Sequence, residues 1–78
     1  MDNGKYTILV LGGAGYIGSQ TNLALLDKGF KTIVFDNLSS GYEQLIPENS
    51  KFFKGDLLNS NNLDRVFSEN KIDGIIHF

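Results

Sequence analysis

The chain contains no cysteine, one histidine and one proline among its 78 residues. The lack of cysteine excludes a disulfide framework and thiol catalysis, and a single histidine cannot form a Cys/His zinc site. We therefore expect no metal site. No apolar run approaches the roughly eighteen residues of a membrane-spanning helix, and the first apolar run is too short for a signal sequence. We expect a cytoplasmic protein without a membrane partner.

Charge of either sign is also sparse. Seven Lys and Arg residues stand against nine Asp and Glu residues, which gives a net charge of -2 at pH 7. Because like charges are not clustered, the chain lacks the basic surface that nucleic acids require. We predict no nucleic-acid partner. A chain of 78 residues is about half the usual domain length, so residues 1–78 form one domain or part of one.

Glycine, in contrast, is abundant, and five of the nine glycines fall between Gly12 and Gly29. They follow the apolar run Tyr6–Leu11, which is typical of a strand buried on both faces in a parallel sheet. Residues from Tyr16 to Lys28 then have helical spacing. We predict that the inner side of this helix, which faces the sheet, consists of Ile17, Thr21, Ala24 and Leu25. Its solvent-facing side is predicted to consist of Ser19, Gln20, Asn22 and Asp27.

The rest of the chain alternates between strand and helix patterns. We predict strands at Thr32–Phe35, Lys51–Lys54 and Asp73–Phe78. We also predict a helix at Ser60–Asn70, with Leu63, Val66 and Phe67 on one face, and a single helical turn at Glu43–Ile46. Such alternation is typical of right-handed crossovers in a parallel sheet. We therefore expect an α/β fold with strand order 3-2-1-4, which is half of a Rossmann fold and the N-terminal part of a doubly wound dinucleotide-binding domain.

A glycine-rich turn, Gly12–Gly18, lies between the first predicted strand and the first predicted helix. Its spacing is G-x-x-G-x-x-G through Gly12, Gly15 and Gly18, and it also contains G-x-G-x-x-G from Gly13. Both spacings meet the same physical demand. The chain must turn sharply, approach a pyrophosphate closely and begin a helix packed against the sheet, and side chains would obstruct each of these.

Backbone N–H groups near Tyr16 and Ile17 are expected to face the pyrophosphate at the positive end of the helix dipole. The P-loop alternative is excluded because Ser19 and Gln20 stand where that motif requires Lys and Ser or Thr. The remaining alternative is a glycine-rich turn that holds no ligand. The strand before the turn, the helix after it and an acidic residue beyond the next strand all favour the dinucleotide site.

That acidic residue is Asp36, eighteen residues past Gly18, where a carboxylate accepts hydrogen bonds from the adenosine ribose. Asp56, after the third strand, is either a partner of the adenine amino group or an ordinary turn residue. His77 has no second ligand or carboxylate at a catalytic spacing, so we interpret it as structural. We also assign to the core the aromatic residues Tyr6, Phe30, Phe35, Phe52, Phe53 and Phe67.

Four motifs together resemble the start of the UDP-glucose 4-epimerases, which belong to the extended short-chain dehydrogenase/reductase family. They are GGAGYIGS at Gly12–Ser19, FDNLSSG at Phe35–Gly41, KGDL at Lys54–Leu57 and KIDGIIHF at Lys71–Phe78. The resemblance covers essentially the whole chain. Leu11 and Gln20 depart from residues common in that family, Thr and His, but neither changes the backbone geometry that binds phosphate.

The resemblance implies that NAD is the cofactor. It implies that the pyrophosphate is held by Gly12, Gly15, Tyr16, Ile17 and Gly18. It implies that Asp36 binds the adenosine ribose and that Asn37, Ser39 and Ser40 border the adenine. It also implies that Asp56 and Leu57 contact the adenine ring and that Phe78 lines the pocket beside the cofactor. It further implies a UDP-sugar substrate bound by parts beyond this chain, a role in galactose metabolism and a homodimeric intact enzyme.

In the family, a Tyr general base and a Lys are spaced as Y-x-x-x-K. Here Val10, Gln20 and Ile46 stand four residues after the three Tyr residues, so no catalytic residue is predicted in this chain. We expect the 78 residues alone to be inactive, with the last predicted strand as an exposed sheet edge. The alternatives are a nucleotide-sugar dehydratase or decarboxylase, and a non-catalytic dinucleotide-binding module.

Overall fold

The computed structural model describes residues 3–39 and 41–78. It contains four strands and two α-helices: β1 (Thr7–Leu11), α1 (Tyr16–Asp27), β2 (Lys31–Asp36), β3 (Lys51–Lys54), α2 (Ser60–Glu69) and β4 (Gly74–His77). Two short 3-10 turns lie at Asn3–Lys5 and Glu43–Leu45. Within the described ranges, neither helix has the length and apolar character needed to cross a membrane.

The four strands form one parallel sheet in the order β3-β2-β1-β4, which confirms the predicted order. Leu11 at the end of β1 is in register with Phe35 of β2 and His77 of β4, and Asp36 pairs with Lys54 of β3. The carboxyl ends of all four strands therefore meet at one edge of the sheet. The chain leaves β1 toward β2 on one side and returns to β4 on the other, so this edge contains a topological switch point.

The main apolar core lies between the sheet and α2. Val66 of α2 is fully buried against the odd-numbered side chains of the two central strands. This cluster consists of Leu9, Leu11, Ile33, Phe35 and Val66, with Phe53, Leu63 and Ile72 packed around it. Burial of each such side chain contributes about 1.5–3 kcal/mol. The core therefore fixes the central strands whose ends build the switch point.

The opposite face of the sheet is covered by α1 in a way that the hydrophobic pattern did not predict. The residues of α1 that are buried are Gly18, Ser19 and Asn22, whereas Ile17 is 68% exposed. Ala24 is also exposed. The predicted inner face of this helix was therefore wrong at Ile17 and Ala24, whereas Thr21 and Leu25 are half-buried. Close packing on the glycine turn, and not apolar burial, sets the rotation of α1.

Buried polar groups join α1 to the sheet. The Asn22 side-chain amide donates to Ser50 Oγ at 2.9 Å, and Ser50 Oγ lies 2.6 Å from Thr32 Oγ1. Asn22 and Thr32 are almost completely inaccessible to solvent, and Asn22 Oδ1 has no hydrogen-bond partner among the described residues. Ser50 is thus the shared partner that satisfies polar groups on both α1 and β2.

Several surface positions differ from the predicted core. Tyr6 is 44% exposed and Phe67 is 46% exposed, because both lie at the margin of the apolar layers. Phe35 is buried as predicted, and Phe30, Phe52 and Phe53 are half-buried. His77 on β4 and Phe78 directly after it are exposed, and β4 pairs with β1 alone among the described strands, so it forms the predicted open edge.

Replacement of Ser50 by Ala is expected to lower the free energy of unfolding by about 1–3 kcal/mol, because it leaves buried groups of Asn22 and Thr32 without a partner. Urea unfolding of the protein that carries this chain measures the change. Ser68→Ala is the matched control, since Ser68 Oγ donates to the Arg65 carbonyl on the exposed surface of α2. An equal loss in the two variants would contradict this account of the α1 interface.

Candidate functional site

A cavity of about 670 Å³ opens at the carboxyl edge of the sheet. Its walls come from the glycine turn and the start of α1, from the end of β2 and the loop after it, from the segment between β3 and α2, and from the residue after β4. It is lined by Gly12, Gly15, Tyr16, Ile17, Gly18, Phe35, Asp36, Asn37, Ser39, Gly55, Asp56, Leu57, Leu58 and Phe78. A cavity of this size suits a small-molecule cofactor.

The residues predicted from the sequence to hold a cofactor converge on this cavity. Every one of them that the structure describes lies in its wall, and Ser40 lies outside the described residues. Phe35, Gly55 and Leu58 also line the wall and were not predicted. A Cβ on Gly55 would lie 2.8 Å from the Phe35 ring, so this glycine permits close packing of the loop after β3. Leu58, 94% exposed, directly follows the KGDL motif, a signal that could have identified it.

The three spaced glycines of the turn have different roles. Gly12 has a φ of 82°, a left-handed conformation that favours glycine, and its N–H donates to the Phe35 carbonyl at 2.8 Å. A Cβ on Gly18 would collide with the Gly12 carbonyl oxygen. A Cβ on Gly15 would be 3.6 Å from the same oxygen, an ordinary contact. The turn thus needs glycine for its backbone at Gly12 and for helix packing at Gly18.

The amino end of α1 faces the cavity through Gly15, Tyr16, Ile17 and Gly18. Gly15 is the N-cap and has an extended backbone without a side-chain cap, and the first α-helical hydrogen bond joins the Ser19 N–H to its carbonyl at 2.8 Å. The first N–H groups of a helix have no intrahelical partner and carry the positive end of its dipole. No acidic residue occupies this first turn. The arrangement therefore suits an anionic group bound by the backbone.

Asp36 ends β2 inside the cavity wall and is only 9% exposed. Its Oδ2 accepts the Ala14 N–H at 2.9 Å and its Oδ1 accepts the Leu38 N–H at 2.8 Å. A carboxylate can accept about four hydrogen bonds, so these two leave capacity for hydroxyl groups of a ligand. No Lys or Arg occurs within the next six residues. The wall at this point therefore favours a hydroxyl donor over a phosphate.

The loop after β2 is held by local hydrogen bonds. Asn37 Oδ1 accepts the Ser39 N–H at 2.9 Å, and Leu38 has a φ of 64°, which is unusual for a bulky residue. These turns direct Asn37 and Ser39 to the cavity wall. The loop thus has a defined shape without forming a regular element.

Asp56 belongs to a similar turn after β3. Its Oδ1 accepts the Leu58 N–H at 2.9 Å, and its own N–H donates to Asn62 Oδ1 at 3.0 Å. The sequence left two interpretations of Asp56, a turn residue or an adenine partner. The structure supports the first by these hydrogen bonds and keeps the second open, because the exposed Asp56 also lines the cavity.

Comparison with known proteins agrees with this geometry. Residues 8–78 match the NAD dependent epimerase/dehydratase family. The UDP-glucose 4-epimerase of Lacticaseibacillus casei is 49% identical over 72 residues, which cover 92% of this chain and 22% of that enzyme. The corresponding enzyme of Bacillus subtilis (strain 168) is 42% identical over 78 residues, which cover 91% of this chain and 23% of that enzyme. The chain thus spans less than a quarter of the length of the curated relatives it matches.

Solved structures show the same fold. The structure of the Thermus thermophilus UDP-glucose 4-epimerase in complex with NAD has a TM-score of 0.89 and 37% identity, covering 91% of this chain and 23% of that one. The structure of the Bifidobacterium longum enzyme in complex with NAD+ and UDP has a TM-score of 0.83 and 39% identity, covering 92% of this chain and 24% of that one.

The glycine turn makes a direct prediction about stability. Gly18→Ala is expected to lower the free energy of unfolding by about 2 kcal/mol or more, because its Cβ meets backbone that cannot move aside cheaply. Gly15→Ala is the matched control and is expected to change it by less than about 1 kcal/mol, since its Cβ has ordinary contacts. Thermal and urea unfolding test the difference. Equal losses would show that α1 does not approach the turn as described.

Proposed function

The chain belongs to the NAD dependent epimerase/dehydratase family, and from this membership we propose that it is the NAD-holding part of a UDP-glucose 4-epimerase. The observation that carries the proposal is the convergence of the predicted cofactor residues on one cavity at the switch point of a parallel sheet. Dinucleotides bind at this place in Rossmann folds. The curated relatives named above, both UDP-glucose 4-epimerases, support the choice of reaction.

The described residues fit NAD. Gly15, the N-cap of α1, lines the cavity, and the first N–H groups of α1 bind the pyrophosphate there. Asp36 accepts hydrogen bonds from the hydroxyl groups of the adenosine ribose. Asn37, Ser39 and Ser40 border the adenine, Asp56 and Leu57 contact its ring, and Phe78 lies beside the cofactor. These assignments are part of the proposal.

In the proposed reaction, the configuration at C4 of the UDP-sugar is inverted through a transient 4-keto sugar. NAD, when bound, supplies the hydride-transfer chemistry at C4: its oxidised form is the hydride acceptor and its reduced form is the hydride donor. The residues of this chain bind and orient the cofactor, and they move no proton. No Tyr in the sequence has a Lys four residues later, so the proposed general base lies outside residues 1–78.

The same proposal covers the cellular location, the oligomeric state and the metabolic role of the intact enzyme. We infer a cytoplasmic homodimer in galactose metabolism, on the resemblance of the four sequence motifs to UDP-glucose 4-epimerases. A nucleotide-sugar dehydratase, a decarboxylase and a non-catalytic NAD-binding module are the alternatives. The family itself includes dehydratases, so the product formed must decide among them.

The protein that carries this chain is expected to convert UDP-galactose to UDP-glucose in the presence of NAD, with no change in the mass of the sugar nucleotide. Chromatography with mass detection measures the product. Residues 1–78 produced alone are expected to give no turnover. A product lighter by one water would favour the dehydratase, and loss of one carbon dioxide from a UDP-sugar acid supplied in place of UDP-galactose would favour the decarboxylase. NAD binding without turnover of either substrate would favour the non-catalytic module.

Asp36 is expected to select NAD over NADP, because a carboxylate accepts a ribose hydroxyl and repels a 2′-phosphate. In Asp36→Asn, the ratio of NAD affinity to NADP affinity is expected to fall by about tenfold, which corresponds to roughly 1.4 kcal/mol. Calorimetric titration of both nucleotides measures this ratio within one protein sample, so a general loss of stability does not affect it. Tighter binding of NADP than NAD by the unmodified protein would contradict the assignment.

A further inference from the structure

The glycine turn has little means of holding its own shape. Three of the four residues from Gly12 to Gly15 are glycine, whose backbone has the largest conformational freedom to lose. One hydrogen bond lies within these four residues, from the Gly15 N–H to the Gly12 carbonyl, and it is long at 3.3 Å. The conformation that faces the cavity must therefore be held by contacts from outside the turn.

At Ala14, the one residue of the four that is not glycine, those contacts come from β2 and the loop that follows it. The fully buried Ala14 donates its N–H to Asp36 Oδ2 at 2.9 Å and accepts the Tyr42 N–H at its carbonyl at 3.0 Å. Gly41 lies so close that a Cβ there would be 2.6 Å from the Ala14 carbonyl carbon and oxygen. Both polar backbone groups of Ala14 are thus bound by this one segment, which we call the Ala14 clamp (Asp36, Gly41 and Tyr42).

We propose that Asp36 is a positioning residue for the phosphate-binding turn, because through the Ala14 clamp its carboxylate holds the turn in the conformation that receives the cofactor diphosphate. This inference rests on the proposed function and adds a second role to the ribose contact. The sequence drew attention to Asp36 only for the ribose. Gly41 had no predicted role in the site and was noted only as the last residue of the FDNLSSG motif.

Two ligands separate the two roles of Asp36: NAD, and an NAD analogue that lacks both hydroxyls of the adenosine ribose. The carboxylate accepts the Ala14 N–H and the Leu38 N–H on two different oxygens. In Asp36→Asn an NH2 donor replaces one of these oxygens, so the two N–H groups can no longer both be accepted in this arrangement. If Asp36 positions the turn, this variant is expected to bind the analogue about tenfold more weakly than the unmodified protein does. Unchanged affinity for the analogue would show that Asp36 acts through the ribose alone and would overturn the inference.

Asp73→Asn is the matched control. Asp73 directly precedes β4, and its Oδ2 also accepts a backbone N–H, that of Thr7 in β1 at 2.8 Å, but at the opposite end of the sheet. This variant makes the same change of charge and chemistry, and it is expected to bind NAD and the analogue as the unmodified protein does. An equal loss of analogue affinity in Asp73→Asn would assign the effect to charge or stability and would contradict the positioning role.

Gly41→Ala tests the clamp without altering the carboxylate, and it serves if Asp36→Asn does not fold. Its Cβ is expected to displace the loop from Ala14 and to weaken the binding of NAD and of the analogue by the same factor.

Hydrogen exchange of the Ala14 amide provides a readout without ligand, and it is expected to be faster in Asp36→Asn than in Asp73→Asn. Failure of the unmodified protein to bind NAD would contradict the proposed function, whereas equal Ala14 exchange in the two variants would contradict the clamp.

Discussion

The close approach of α1 to the glycine turn is the constraint on which the rest of the site depends. Gly18 packs against the Gly12 carbonyl with no room for a side chain, and this contact fixes both the position and the rotation of the helix. The small and polar residues of α1 consequently face the sheet, and Ile17 faces outward. The same rotation brings the N–H groups at the start of α1 to the cavity, where the helix dipole is most favourable for an anion.

The parallel sheet supplies the second requirement, which is convergence. Four segments that are far apart in the sequence, after β1, β2, β3 and β4, meet because parallel strands end at the same edge. The apolar core under α2 holds the two central strands, and the site is built on their ends. The stability of the core and the geometry of the site are therefore linked through β1 and β2.

The sequence predicted the elements and the strand order from local patterns, whereas most residues of the cavity wall were implied by the resemblance of four motifs to the UDP-glucose 4-epimerases. Apolar runs and glycine spacing identify a strand, a turn and a helix, and right-handed crossovers then leave few arrangements of the sheet. The buried face of α1 was not predictable in this way, since the pattern measures hydrophobicity and the helix packs through Gly18, Ser19 and Asn22. The bond from Asp36 to Ala14 joins residues 22 positions apart, and only the fold brings them together.

The use of backbone groups to face the ligand has a consequence for how this sequence can vary during evolution. Tyr16 and Ile17 line the cavity, yet their side chains are 76% and 68% exposed, so mutations there can alter the surface while the N–H groups stay in place. At Gly18 every missense mutation adds a Cβ and meets the Gly12 carbonyl. Purifying selection should therefore act more strongly on Gly18, which has no side chain, than on Tyr16 and Ile17, where genetic drift should be freer.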